Sequence, residues 1–134
     1  FYHGEPECDY TGRFCVWGQL FNGVGPNRAR AKPMKKGPID VCYQWDYNCD
    51  RPYQTVCKLH GRHGLLPSHW SQEGSYFFIL PANQTWRIKP RVTHSHLSWD
   101  PVYKFVSAQN LGQKKLMKID FTLLGTAVTS KGCR

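Results

Sequence analysis

The sequence lacks the features that would place it in a common class of enzyme or membrane protein. It has no apolar run long enough to span a bilayer and no internal repeat. It has no nucleophile elbow, P-loop or dinucleotide-binding fingerprint. Its cysteines form no Cys-x-x-Cys pair and no zinc-finger spacing. The first residues carry neither a charged n-region nor an apolar h-region, so we expect that any signal peptide has already been removed.

Six cysteines without metal-site spacing predict a disulfide framework. They are Cys8, Cys15, Cys42, Cys49, Cys57 and Cys133. The sequence does not choose among their pairings, although a bridge from Cys133 to Cys8 or Cys15 would tie the two ends together. Such frameworks belong to oxidising compartments, so we expect a secreted protein with one domain over residues 1–134. Asn83-Gln84-Thr85 is an N-glycosylation acceptor triplet in a predicted turn, which agrees with secretion.

Carboxylates are scarce in this chain. Its 9 acidic residues stand against 18 lysines and arginines, which gives a net charge of +9. This balance favours an acidic partner, such as nucleic acid, anionic lipid, a cell-wall polymer or an acidic protein. The segment Gly25–Gly37 holds five cations and no acid between Pro and Gly residues, so we predict an exposed loop that is either simply solvated or a contact patch for anions. Its cations are Arg28, Arg30, Lys32, Lys35 and Lys36.

Two strand-like runs flank a turn between residues 75 and 92. Ser75–Leu80 has apolar residues at both odd and even positions, as in a strand that is covered on both faces. Pro81–Gln84 has turn chemistry, and Thr85–Val92 alternates charged and apolar positions. We therefore predict a hairpin whose second strand buries one face and presents cations on the other. The buried side chains are Trp86 and Ile88, and the cations are Arg87, Lys89 and Arg91.

The remaining patterns predict an α+β fold. Apolar residues from Phe14 to Phe21 recur at helical spacing and predict one helix there. Further strands are predicted over Ile39–Trp45, Val102–Ser107 and Leu116–Leu124. We expect an antiparallel β-sheet of four to five strands with one or two helices packed on it, stabilised by disulfides.

Histidines and one glutamate offer two weak chemical hypotheses. His94-x-His96 on an extended segment has the geometry of a metal site, but no third ligand is evident, so we expect no metal and no cofactor. His69, Glu73 and His94 or His96, with Arg87 or Arg91 as phosphate clamp, have the residue types of a ribonuclease. Nothing in the sequence shows that these residues converge, so we expect that the protein is not an enzyme.

The run from Trp86 to Arg91 has the form Trp-Arg-hydrophobic-x-x-Arg. This run resembles the short motif of the Leptosphaeria avirulence-suppressing family, which comprises small secreted cysteine-rich effectors of plant-pathogenic fungi. The resemblance implies a mainly antiparallel sheet with helices against it, with Trp86 packed inside the sheet. It also implies that Arg87 and Arg91 form structural or surface polar contacts and that these positions have no catalytic role.

The leading hypothesis is a secreted fungal effector that acts by protein contacts as a monomer without a membrane span. The resemblance implies action in the host apoplast or after entry into host cells, with perception by an immune receptor or suppression of such perception. The expected binding residues are the cations of the basic loop together with Arg87, Lys89 and Arg91. The alternative is a secreted ribonuclease, nucleic-acid-binding or antimicrobial protein, since the same cations suit phosphates and anionic envelopes.

Overall fold

A computed structural model describes residues 8–23, 32–34, 36–43, 52–58, 74–91 and 98–124. Within these ranges the chain forms ten β-strands and one short 3-10 helix at Ala108–Asn110, with no α-helix. The strands are β1 (Arg13–Asn22), β2 (Lys32–Pro33), β3 (Lys36–Tyr43), β4 (Gln54–Lys58), β5 (Ser75–Pro81), β6 (Trp86–Pro90), β7 (Ser98–Asp100), β8 (Lys104–Val106), β9 (Leu116–Lys118) and β10 (Phe121–Leu124).

The first sheet has six strands and is built around β1. One edge of β1 pairs antiparallel with β5, from Arg13 opposite Pro81 to Gln19 opposite Ser75, and then with β2. The other edge pairs in parallel with β9 and then with β10, and β7 adds antiparallel to β10. The sheet is therefore mixed, whereas an antiparallel one was predicted.

The predicted helix near Phe14–Phe21 is wrong, because this segment is the central strand β1. Phe14 and Val16 face the main core, while Cys15 and Trp17 belong to a second apolar cluster with Phe77. A strand that is buried on both faces carries apolar residues at both odd and even positions. Some of these residues then fall at helical spacing by coincidence. The predicted α+β class is therefore replaced by an almost entirely β fold in the described part of the chain.

The second sheet has four antiparallel strands in the order β4-β3-β6-β8. β3 begins earlier than the predicted strand over Ile39–Trp45, whose last two residues lie outside the described ranges. β6 and β8 are shorter than predicted but fall inside the predicted runs Thr85–Val92 and Val102–Ser107. The prediction of a single sheet is wrong, since these strands form a separate layer.

β5 and β6 are consecutive strands but do not pair with each other. β5 lies against β1 in the first sheet, and β6 lies between β3 and β8 in the second. The predicted hairpin is therefore wrong, although both runs are strands. The indole Nε1–H of Trp86 donates to the carbonyl of Pro81 at 2.9 Å, which fixes the point where the chain crosses between layers.

Both sheets contribute to one hydrophobic core. Phe14 and Phe78 enter it from the first sheet, and Val41, Trp86 and Ile88 enter it from the second. Each of these strands alternates its core residues with residues on its outer face, as the two-residue period of a strand requires. The outer face of β6 is consequently fixed by the burial of Trp86 and Ile88.

The predicted strand Leu116–Leu124 is interrupted at Ile119 and Asp120, which separates β9 from β10. The hydroxyl of Tyr76 donates to the carbonyl of Ile119 at 2.6 Å, and the amide of Gln19 donates to a carboxylate oxygen of Asp120 at 2.9 Å. The amide of Ile119 still donates to the carbonyl of Trp17 at 2.8 Å, so the break keeps one backbone bond to β1 beside these side-chain bonds. Burial, and secondarily the charge of Asp120, raises the pKa of Tyr76 well above its ordinary value.

Candidate functional site

The outer face of the second sheet carries the cations predicted on β6. Arg87 and Lys89 point away from the core because Trp86, Ile88 and Pro90 occupy the core side. On β3, Cys42 lies opposite Arg87 and Asp40 lies opposite Lys89. On β8, Phe105 lies opposite Arg87 on the other side of β6. The register therefore brings basic, acidic and aromatic side chains together on one face.

Two exposed aromatic rings stand at one margin of this face. Tyr103 is 44% exposed and Phe105 is 46% exposed, and their rings meet edge to face with centroids 5.2 Å apart. The guanidinium carbon of Arg87 lies 5.9 Å from the centroid of the Tyr103 ring, within the range of a cation–π contact. We call Arg87, Lys89, Tyr103 and Phe105 the aromatic–basic face.

Arg91 extends this face at the end of β6 and is held there by Asp40. Its Nε–H donates to Oδ2 of Asp40 at 3.1 Å and its Nη2–H donates to Oδ1 at 2.8 Å, a two-pronged ion pair. The hydroxyl of Thr55 donates to the same Oδ1 at 2.6 Å. Asp40 is buried, while Arg91 is exposed. The pair therefore ties β3, β4 and the end of β6 together.

The three residues of the Trp-Arg motif have different environments. Trp86 is fully buried and its ring stacks on Tyr43 with centroids 4.8 Å apart. Arg87 is largely buried beside Tyr103, and Arg91 forms the ion pair with Asp40. Lys89, between the two arginines, is half-buried.

The segment Gly25–Gly37, predicted as an exposed loop, contains β2 and the first residues of β3, so the prediction of a loop is wrong for these residues. Lys32 is exposed in β2, which belongs to the first sheet. Lys36 begins β3, and its side chain is outside the description. Arg28, Arg30 and Lys35 lie outside the described residues.

The histidines and the glutamate of the two chemical hypotheses fall outside the described ranges. They are His69, Glu73, His94 and His96. Among the residues that the structure does describe, there is no group of three or more His, Cys, Asp or Glu side chains suited to a metal ion. The same residues include no helix that is long and apolar enough to cross a membrane.

Cys8 and Cys15 form a disulfide with a sequence separation of 7. The sequence left open a bridge from Cys133 to Cys8 or to Cys15, and the Cys8–Cys15 pairing excludes both. Cys42 is fully buried in β3 and is disulfide-bonded as well. Cys57 lies in β4 with its side chain outside the description, and Cys49 and Cys133 lie outside the described residues.

Sequence reasoning missed the exposure of Tyr103 and Phe105 and the role of Asp40. The alternation of Tyr103 and Phe105 with Lys104 predicts that the two rings share a face. Only the structure shows that the two rings are exposed, whereas Arg87 and Asp40 on the same face are buried. Asp40 carries no local signal, because its partner Arg91 is 51 residues away.

Comparison of the chain with protein families, with curated proteins and with solved structures finds no match. The described residues form a two-sheet β protein with a shared core and at least one disulfide. Its most distinctive surface in the described part of the chain is the aromatic–basic face.

Proposed function

We propose that this protein is a secreted fungal effector without enzyme activity, and that its aromatic–basic face binds an acidic surface on a host protein or immune receptor. The observation that carries the proposal is the exposed Tyr103–Phe105 pair beside Arg87. Aromatic residues and arginine are the types that contribute most to protein–protein binding energy. The resemblance of Trp86–Arg91 to the Leptosphaeria effectors supports the biological setting.

The charges of the face favour a protein partner over nucleic acid. A nucleic-acid site needs several cations that are accessible to phosphates. Here Arg91 is paired with Asp40, Arg87 is largely buried, and a carboxylate lies among the cations. A protein surface with an apolar centre and surrounding acids matches this mixture better, because the rings bury apolar area while Lys89 and the net charge of +9 attract acids.

The test compares the response of host plants to wild-type protein and to face variants. Purified, oxidised protein is infiltrated into leaves of a panel of plant genotypes, and genotype-dependent cell death or its suppression is scored. The double variant Tyr103→Ser/Phe105→Ser removes both rings. Tyr10→Ser is the matched control, because Tyr10 is 42% exposed and precedes β1 in the other sheet.

We expect the double variant to lose the response and the Tyr10→Ser control to keep it. Loss of one or two binding residues of this type costs about 2 kcal/mol or more, roughly a thirtyfold loss of affinity. A response that survives in the folded double variant would contradict the assignment of the face. No response in any genotype would count against the effector role itself.

A second arm tests the nucleic-acid alternative. Wild-type protein is incubated with single-stranded RNA over a range of salt concentrations, alongside Glu73→Ala, His94→Ala and His96→Ala. Binding that weakens steeply with salt, or cleavage that these substitutions abolish, would replace protein contact by a nucleic-acid function. We expect neither.

A further inference from the structure

The turn between β5 and β6 carries the triplet Asn83-Gln84-Thr85, which the proposed binding function does not use. The backbone amide of Ala82 donates to the carbonyl of Gly12 at 3.0 Å, and the indole of Trp86 donates to the carbonyl of Pro81 at 2.9 Å. The first bond ties the turn to the residue before β1, and the second joins the two ends of the turn to each other. Asn83 and Gln84, between these anchors, are exposed. The Asn83 side chain is accessible on a turn whose backbone is fixed.

Asn83 begins the only Asn-x-Ser/Thr triplet in the chain, and the middle residue, Gln84, is not proline. Thr85 supplies the hydroxyl two residues on, and it is half-buried. A glycan attached here would leave the folded core undisturbed, because Asn83 is exposed, whereas the core contacts of this segment come from Leu80, Ala82 and Trp86.

We propose that Asn83 is an N-linked glycan attachment site. In this reaction the side-chain amide nitrogen of Asn83 forms a bond to the anomeric carbon of an N-acetylglucosamine. That carbon is released from the diphosphate of a lipid-linked oligosaccharide, which is the co-reactant. The amide gives up one proton, and the lipid diphosphate leaves with the electron pair of the broken carbon–oxygen bond. The site rests on the secretion that the proposed function includes.

The glycan would lie near one end of the outer face of the second sheet. The glycan would stand just before β6, whereas Arg91 and Asp40 lie at the far end of the same strand. From Trp86 to Arg91 a strand advances about 17 Å. The glycan would therefore border the face at its Arg87 end and leave the Arg91 end open.

The test expresses the full chain behind a heterologous leader in eukaryotic cells and measures the intact mass of the secreted protein. Enzymatic removal of the glycan converts the modified asparagine to aspartate, which is read in the tryptic peptide that ends at Arg87. Thr85→Ser keeps the hydroxyl, Thr85→Val removes it at nearly constant volume, and Asn83→Gln removes the acceptor.

We expect the glycan on wild type and on Thr85→Ser, and its complete loss in Thr85→Val and Asn83→Gln. If Thr85→Val is not secreted, Asn83→Gln at the exposed position gives the answer. Secreted wild-type protein without a glycan, from cells that modify a reference glycoprotein, would overturn the proposal. The supplied leader delivers the chain to the secretory pathway whatever its natural route. The absence of a glycan would therefore not contradict the proposed function. Failure of the leaf assay, in turn, would not contradict the glycan site.

Discussion

Replacing Gly18 by alanine tests how closely β1 packs on the break between β9 and β10. A Cβ at Gly18 would overlap the carbonyl oxygen of Ile119 and lie 2.6 Å from its carbonyl carbon. It would also lie 3.1 Å from Cε2 of the buried Tyr76. Neither neighbour is the free end of a flexible side chain. The backbone of the first sheet must therefore move to admit one methyl group.

The expected cost follows from two opposing effects. Overpacking of a tight core costs about 1–3 kcal/mol, and contact with backbone places this substitution at the upper end. Removing a glycine reduces the entropy of the unfolded chain, which offsets the cost by about 0.4–1 kcal/mol. We expect a net loss of about 2 kcal/mol in the free energy of unfolding. In a domain of this size the melting temperature should fall by roughly 7 °C.

The assay is thermal and urea unfolding of the purified, oxidised protein, followed by tryptophan fluorescence. Gly112→Ala is the matched control, because a Cβ at Gly112 meets nothing within 4 Å. We expect this control to unfold within about 0.5 kcal/mol of wild type. Strand propensity alone would make Gly18→Ala stabilising. Equal or higher stability of Gly18→Ala would therefore refute the close approach described here.

Three further predictions concern single contacts. Tyr76→Phe should cost about 1 kcal/mol by removing the hydrogen bond to Ile119. Because the pKa of Tyr76 is raised in the folded state, its contribution to stability should be fully present below pH about 10 and be lost as the pH rises further. In urea unfolding at alkaline pH, the free energy of unfolding of Tyr76→Phe should therefore fall less steeply with pH than that of the wild type. Asp40→Asn and Arg91→Gln should each lower the free energy of unfolding by about 1–2 kcal/mol, a range that is reduced because Arg91 is exposed. A double-mutant cycle that shows no coupling between the two positions would contradict the ion pair. Removing the Cys8–Cys15 disulfide with Cys8→Ala/Cys15→Ala should cost about 2.5 kcal/mol in urea unfolding, and an unchanged midpoint would show that the bridge does not constrain the unfolded chain.

The sequence predicts the strands that carry their own signal. β5, β6 and β10 fall where alternation or runs of consecutive apolar residues indicate them. The burial of Trp86 and Ile88 agrees with the prediction for one face of β6, but Arg87, which was predicted to be presented on the other face, is buried as well. β1 was misassigned because burial on both faces erases the alternation that separates a strand from a helix. Sheet membership was misassigned because a four-residue turn is compatible with pairing and with crossing between layers.

The candidate site was predicted in its charges but not in its environment. Alternation places Arg87 and Lys89 on a common face. Which side chains lie beside them is decided by the long-range pairing of β6 with β3 and β8. The pairing of Arg91 with Asp40 across 51 residues depends on the same register. Local patterns carry no information about either.

The parallel pairing of β1 with β9 and β10 has a consequence for how the chain folds during synthesis. The contact between Gln19 and Asp120 joins residues 101 positions apart. At about 5–20 residues per second, the ribosome needs roughly 5–20 s to produce the second partner after the first. During this interval one edge of the aromatic strand β1 has no partner from β9 or β10. This interval is the period in which we expect aggregation, and a dependence on chaperones, to be greatest.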